Sequence, residues 1–363
     1  MQALSQLSYT PTRETRILVT TFFLVKGLVA VMRHFPGQGW EGGWVGYIPA
    51  MRIALVTPYL PAARNGNAHT AMRWRRFLRR AGHDVAMARE WDGPPADLLI
   101  ALHARRSHAS IERFAARYPE RPLVVVLTGT DVYRDIHADA DARHSLRLAS
   151  RLVVLQDKAV DELPAAWRAK TRVIPQSAPT LKPAPRPRRS FDICVAAHLR
   201  EEKDPFRAAH AAHLLPAASR IRIRHVGGPQ QAGMEEAARV LESPRWHWLG
   251  ALPHGETRRR IARSHLLVIS SRMEGGANVI CEAVAAGTPV LASRISGNVG
   301  MLGADYAGYF PVGDAAALAE SMLRAETDPA YRALLQRQCA ARAPLFLPER
   351  EAAAVAALVG ELA

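Results

Sequence analysis

From position 51 onward the apolar residues fall into two alternating arrangements. Short unbroken runs occur at Arg52–Thr57, Asp97–Leu102, Leu123–Leu127, Leu152–Leu155 and Arg172–Ile174. Continuous runs, rather than every-other-residue patterns, mark parallel strands covered on both faces. Between such runs the apolar residues spread to helical spacing. Ala71, Trp74, Leu78 and Ala81 form one such face, with Gly82 as its stop, after a Pro/Gly/Asn loop at Pro58–Asn67. The pattern predicts a doubly wound half-domain whose ligands sit at the carboxyl ends of the strands.

The segment Gln176–Ser190 breaks this rhythm with four prolines and no apolar period, and reads as a semi-rigid linker. The alternation then restarts. Strands are predicted at Asp192–Ala196, Ile221–Val226, Trp246–Leu249, Leu266–Ile269 and Val290–Ala292, with helices from Pro205, Met234 and Glu256 and near Ala277. Thr327 onward reads as mostly helical, broken by Pro344 and Pro348. The fold class expected is α/β, with two Rossmann-like doubly wound domains facing across a cleft. The expected domains are 51–175, a linker at 176–190, 191–342, and a helical segment at 343–363 that is a candidate to pack back on the first domain.

Residues 1–50 read differently. Ile17–Met32 is apolar except for Thr20, Thr21, Lys26 and Gly27, and its 16 residues fall short of the ~20 of a spanning helix. Gly- and Trp-rich sequence follows without a clear cleavage site, and the character changes abruptly at Met51. The preferred reading is an upstream extension outside the fold. A membrane anchor and a structured N-terminal helix are the alternatives.

Composition excludes a disordered protein: 48% of the residues are hydrophobic and 22% charged, enough to build a core. The +15 net charge is carried almost wholly by arginine and suits an anionic partner such as phosphate or nucleotide, although GC-rich coding gives the same bias. No basic tail, aromatic platform or nucleic-acid-binding module accompanies it, so no nucleic-acid partner is expected. Cys194, Cys281 and Cys339 lie too far apart for a CxxC motif, and an odd sparse set argues against a disulfide framework and for a reducing, cytoplasmic setting.

The chemistry concentrates in Ser270–Arg294, which reads strand, glycine loop, helix, turn, strand. Glu274 falls at a strand's carboxyl end. Gly275 and Gly276 would let backbone approach a ligand, and the helix opening at Ala277, Asn278 and Val279 would present unpaired N–H groups to a phosphate. Glu282, inside that helix, can accept both hydrogen bonds of a ribose diol. Together these describe a nucleotide-sugar site.

This segment resembles the C-terminal domain of glycosyltransferase family 4, whose pattern is E-G-x-x-x-x-x-x-E-A-x-A-x-G-x-P-V. Glu274, Gly275, Glu282, Ala283, Ala285, Gly287, Pro289 and Val290 match it. Ile174-Pro175, His225-Val226-Gly227-Gly228-Pro229, Leu249-Gly250 and Ser270-Ser271-Arg272 follow the family in order. The resemblance implies the glycosyltransferase-B fold, with Glu274 on donor-sugar hydroxyls and Glu282 on the ribose. It implies a second cluster at Ala197–Lys203, where the family's G-R-L-x-x-E-K supplies Arg and Lys to the leaving diphosphate. Lys203 matches that Lys. His198 stands at the Arg position, with Arg200 two residues on, so Arg200 or His198 is left to take that role. Lys203, Arg200 and Glu274 are therefore the expected catalytic residues. Gly66, His198, Arg272, Gly275, Gly276, Ala277, Asn278, Val279 and Glu282 are expected on the nucleotide-sugar.

The first domain would take the acceptor. Its candidates are Asn65 and Asn67 beside Gly66, His103 and Arg105 after the Asp97–Leu102 run, Arg73, and Thr128-Gly129-Thr130-Asp131 at a strand end. The family often has a His where Thr128 stands. Its loss argues against a base-activated hydroxyl acceptor, whereas an anionic nucleophile needs no base.

Three stretches, Thr57–Trp74, Ala196–Ala209 and Ser293–Asp314, resemble one branch of the family, the selenosugar synthases of selenoneine biosynthesis. That resemblance implies selenophosphate joined to the anomeric carbon of a UDP-sugar, UDP-N-acetylglucosamine or UDP-glucose, through a C–Se bond. Arg73, Arg75, Arg105 and Arg106 are then candidates for the anion's cradle. The alternative is a conventional member moving sugar to a lipid, polysaccharide or small-molecule hydroxyl. No DxD ends a strand, so no metal or other cofactor is expected, and a membrane partner is not favoured.

Overall fold

A computed structural model describes residues 2–8, 18–25, 28–34, 41–47, 49–59, 66–182 and 184–363, with only the backbone up to residue 47. The N-terminal strands are β1 (Gln2–Ser8), β2 (Leu18–Val25), β3 (Leu28–His34) and β4 (Glu41–Tyr47). They form an antiparallel sheet of their own in the order β1-β2-β3-β4. The apolar run at Ile17–Met32 thus contributes two paired strands rather than a helix, in keeping with its Val, Thr and Phe content.

The first parallel sheet comprises β5 (Arg52–Val56), β6 (Asp84–Ala88), β7 (Leu98–Leu102), β8 (Leu123–Val126), β9 (Arg151–Val154) and β10 (Thr171–Val173), ordered β10-β9-β8-β7-β5-β6. Every residue of β7 and β8 is buried, as continuous apolar runs require. The edge strand β6 had no such run to announce it, because only Val85 of its five residues is buried. The helices here are α1 (Gly66–Arg80), α2 (His108–Arg117), α3 (Ile136–Ala138), α4 (Ala140–Leu148) and α5 (Ala165–Arg168). On α1, Ala68, Ala71, Trp74, Phe77 and Leu78 are buried, and Arg79 and Arg80 suit the negative carbonyl end.

The second parallel sheet comprises β11 (Phe191–Ala196), β12 (Ile221–Val226), β13 (Trp246–Trp248), β14 (Leu266–Ile269), β15 (Val290–Ser293) and β16 (Tyr309–Phe310), ordered β13-β12-β11-β14-β15-β16 with every neighbour parallel. Its helices are α6 (Arg207–His213), α7 (Met234–Val240), α8 (His254–Arg263), α9 (Asn278–Ala285), α10 (Ser296–Leu302), α11 (Ala315–Thr327) and α12 (Pro329–Arg342), and α13 (Pro348–Gly360) ends the chain. Ile193, Ile223, Trp246, Leu267, Leu291 and Phe310 lie in its core. Strand order reverses at β11, whose neighbours are β12 and β14. That switch point opens a crevice beyond the strands' carboxyl ends.

By contacts the chain forms two compact units, one of residues 1–126, 141–152 and 349–363, the other of 127–140 and 153–348. The Pro-rich segment 176–190 lies within the second. Glu351 of α13 belongs to the first unit. It is buried and accepts from Trp74 Nε1 at 3.0 Å and from Arg73 Nε at 2.9 Å. All three cysteines are buried thiols outside any disulfide. No helix among the described residues is long and apolar enough to cross a membrane.

Candidate functional site

Lys203 and Glu274 stand at the switch point of the second sheet. Beyond β11 the chain makes a tight turn at Glu201–Lys203, closed by Asp204 in the left-handed region (φ 42°). Beyond β14 it runs through Ser270–Ala277 into α9. The two loops are stitched by Arg272 N–H donating to Glu202 O at 2.9 Å and Ser270 Oγ donating to Asp204 O at 2.9 Å. This brings Lys203 Nζ to 2.5 Å from Glu274 Oε1, and Ser271 Oγ donates to the same oxygen at 2.6 Å. Ser293 Oγ holds Ser271 O, and Asn298 Nδ2 holds Ser293 O at 2.9 Å. Burial pushes the Lys203 ammonium down, and the Glu274 carboxylate opposes that only in part.

Glu282 lies on α9, buried, with His254 Nε2 at 2.5 Å from its Oε1. His254 opens α8 at a point where sequence reading began the helix two residues later. Its Pro-His-Gly-Glu opening is the one local signal for it. Ser271, Ser293 and Asn298 lie in stretches that follow the resembled family, but their hydrogen bonds arise from loops that meet only in the folded chain.

Protein packs closely against the glycine pair. A Cβ on Gly275 would lie 2.5 Å from Thr128 O and 2.6 Å from Gly129 N, and one on Gly276 would lie 2.6 Å from Leu155 Cβ. Any larger residue would push the Thr128–Gly129 backbone, or Leu155, off the loop.

Thr128, Gly129, Thr130 and Asp131 follow β8 and lead into a single wide helical turn at Asp131–Asp135. Asp131 is buried and accepts from Thr128 N at 2.9 Å, Gly129 N at 2.7 Å and Val132 N at 3.2 Å. Its carboxylate is therefore occupied by backbone. In the same turn Tyr133 accepts from Gln156 Nε2 at 2.7 Å, and burial raises its hydroxyl to about 12.

The remaining candidates fall in both units. His198 and Arg200 are half-buried on the turn that carries Lys203, and Asn278 and Val279 form the first turn of α9, which Ala277 caps. Arg272 is exposed, engaged through its backbone. Gly66 and Asn67 open α1, and Asn65 lies outside the described residues. His103 is buried at φ 75°, with Nδ1 accepting from Arg106 N at 3.3 Å, and Arg105 is half-buried beside it. Arg73 is committed to Glu351, which accounts for its charge within the first unit.

Residues 180–343 match the family model of glycosyl transferases group 1, a span that holds Lys203, Glu274 and Glu282. Similar solved structures include sucrose-phosphate synthase from Thermosynechococcus elongatus, 18% identical with a TM-score of 0.73, over 86% of this chain and 99% of that one. Anabaena Alr3699/HepE in complex with UDP-glucose is 16% identical with a TM-score of 0.68, over 86% of this chain and 100% of that one. A glycosyltransferase from Rickettsia africae is 14% identical with a TM-score of 0.66, over 87% and 99%. No curated protein matches the chain in sequence. The fold is the glycosyltransferase-B fold, and the match to glycosyl transferases group 1 falls on its second sheet.

Proposed function

We propose that the chain is a nucleotide-sugar-dependent glycosyltransferase that joins selenophosphate to the anomeric carbon of a UDP-sugar. The observation that carries the reading is Lys203 beside Glu274 at the switch point, with Glu282 on the following helix. Similarity to a protein solved with UDP-glucose supports a UDP-sugar donor. In the free protein Lys203 and Glu274 neutralise each other. A diphosphate seated at the start of α9 competes for the ammonium, leaving Glu274, still held by Ser271, to accept from sugar hydroxyls. Glu282 exchanges His254 for the ribose diol.

Selenium attacks the anomeric carbon as that carbon's bond to the diphosphate oxygen breaks. The electron pair leaves with UDP, and Lys203 stabilises the charge as it develops. Two features support an acceptor that is already anionic. Thr128 replaces the residue that would serve as base in the resembled family, and the nearby carboxylate of Asp131 is occupied by backbone N–H groups. A nucleophile carrying its own charge needs neither.

The test uses the full chain with UDP-N-acetylglucosamine or UDP-glucose and selenophosphate made in situ without oxygen. Mass spectrometry for the selenium isotope pattern is run beside a UDP-release assay. A selenium-bearing sugar formed in step with UDP is expected. UDP release without selenium product overturns the selenophosphate acceptor and points to a hydroxyl acceptor, and failure to bind UDP overturns the donor reading as well.

A further inference from the structure

We infer that the first unit carries a divalent-metal site of the zinc class, built from His108 and Glu112 of α2 and His144 of α4, with Asp141 beside it. His108 and Glu112 are four residues apart and Asp141 and His144 three apart, so each pair shares one helix face. One ligand atom from each of His108, Glu112 and His144 lies within 4.8 Å of the others. His108 Nε2 is 3.6 Å from Asp141 Oδ1, and His144 Nδ1 is 3.8 Å from Glu112 Oε1. These separations are too long for hydrogen bonds. His108, Glu112 and His144 thus converge without hydrogen bonds to one another, and Asp141 flanks His108.

A second observation orients one of them. Ser145 Oγ donates its single proton to Ala104 O at 2.8 Å, so toward His108 Nδ1, 3.0 Å away, it accepts. Nδ1 therefore carries the proton, and the bare nitrogen is Nε2, the one 3.6 Å from Asp141 Oδ1. Fixing a histidine's tautomer through its far nitrogen is how metal ligands are held. Two imidazoles with carboxylate oxygens suit zinc, whose bonds of about 2.0–2.2 Å set tetrahedral ligand atoms roughly 3.3 Å apart. Side-chain rotation of exposed Glu112 and half-buried His144 is enough to close the present spacing. The bound ion would tie α2 to α4 just after the turn that holds His103 and Arg105.

The experiment titrates the chelator-treated full chain with Zn2+ by calorimetry and with Co2+ by visible absorption. One equivalent per chain and the intense visible bands of four-coordinate Co2+ are expected. His144→Ala and Glu112→Gln should each abolish stoichiometric uptake, and Ser145→Ala should weaken it about 10- to 100-fold. Melting of the metal-free variants, followed by circular dichroism, checks that they fold. Glu112 is exposed, so Glu112→Gln serves if His144→Ala does not fold. No uptake by the parent chain, or uptake undiminished in folded Glu112→Gln, overturns the site.

Discussion

Asp131 and Glu274 are both buried carboxylates just beyond the carboxyl end of a parallel strand, β8 and β14 respectively. Asp131 is surrounded by backbone N–H groups of its own turn, at 2.7–3.2 Å. Those donors cannot leave without undoing the turn. Glu274 is held by two side chains, Lys203 and Ser271, that rotamer changes can release. A carboxylate satisfied by backbone fixes a shape, whereas one satisfied by side chains can trade partners with a ligand. The second kind of carboxylate can change partners without cost to the fold.

The sharpest way to break this contrast is Lys203→Ala. Turnover, read as UDP release, should fall about 100- to 1000-fold, as when one transition-state donor is removed, with KM for the UDP-sugar changing far less. An unchanged kcat would remove Lys203 from the chemistry. Asp131→Ala tests the other arm. It leaves backbone donors unsatisfied, so stability should fall by about 3 kcal/mol and the melting temperature by roughly 6–12 °C. A variant that melts normally but loses turnover would place Asp131 with Glu274 instead.

His225 sharpens the same distinction through pH. Burial pushes its imidazole down to about 4, and Nε2 sits 2.9 Å from Ala197 O, so it is neutral when folded. The unfolded chain binds a proton there below its ordinary 6.5, so this contribution to stability is complete above that pH and is lost as pH falls from about 6.5 to 4. The loss should be on the order of 3 kcal/mol. Denaturant melts of His225→Asn should have a shallower acid limb, and an identical limb would contradict the assignment. The smallest effect is expected from Glu282→Gln, which keeps one acceptor oxygen. UDP affinity by calorimetry should drop about tenfold, and no change would leave the ribose to another group.

Most of both parallel sheets was legible in the sequence, because a strand buried on two faces can be written only as an unbroken apolar run. β6 escaped for the converse reason, as did the two-residue β16, too short to carry a pattern. The strand–loop–helix order that carries Glu274 and Glu282, and the turn after β11 that carries Lys203, were legible because apolar runs and a glycine loop mark them. The partners were not. His254, Ser271 and Asn298 are ordinary residues that matter only through which loop lies opposite. The glycine pair at 275–276 was legible but its neighbours were not: sequence records that no Cβ is tolerated, not that Thr128, Gly129 and Leu155 lie against it.

The buried carboxylate of Glu351 has a consequence for the order of assembly. Arg73 and Trp74 belong to the first α-helix made after β5, yet the group that satisfies both is translated after the whole of the second unit. While the ribosome builds that unit, the carboxylate that Trp74 Nε1 and Arg73 Nε bond in the finished chain is not yet made, and α1 lacks that contact. The first unit to leave the ribosome is thus the last to be completed. A nascent chain stalled before α13 should present this helix, with its apolar face and its run of arginines, to whatever chaperone attends synthesis.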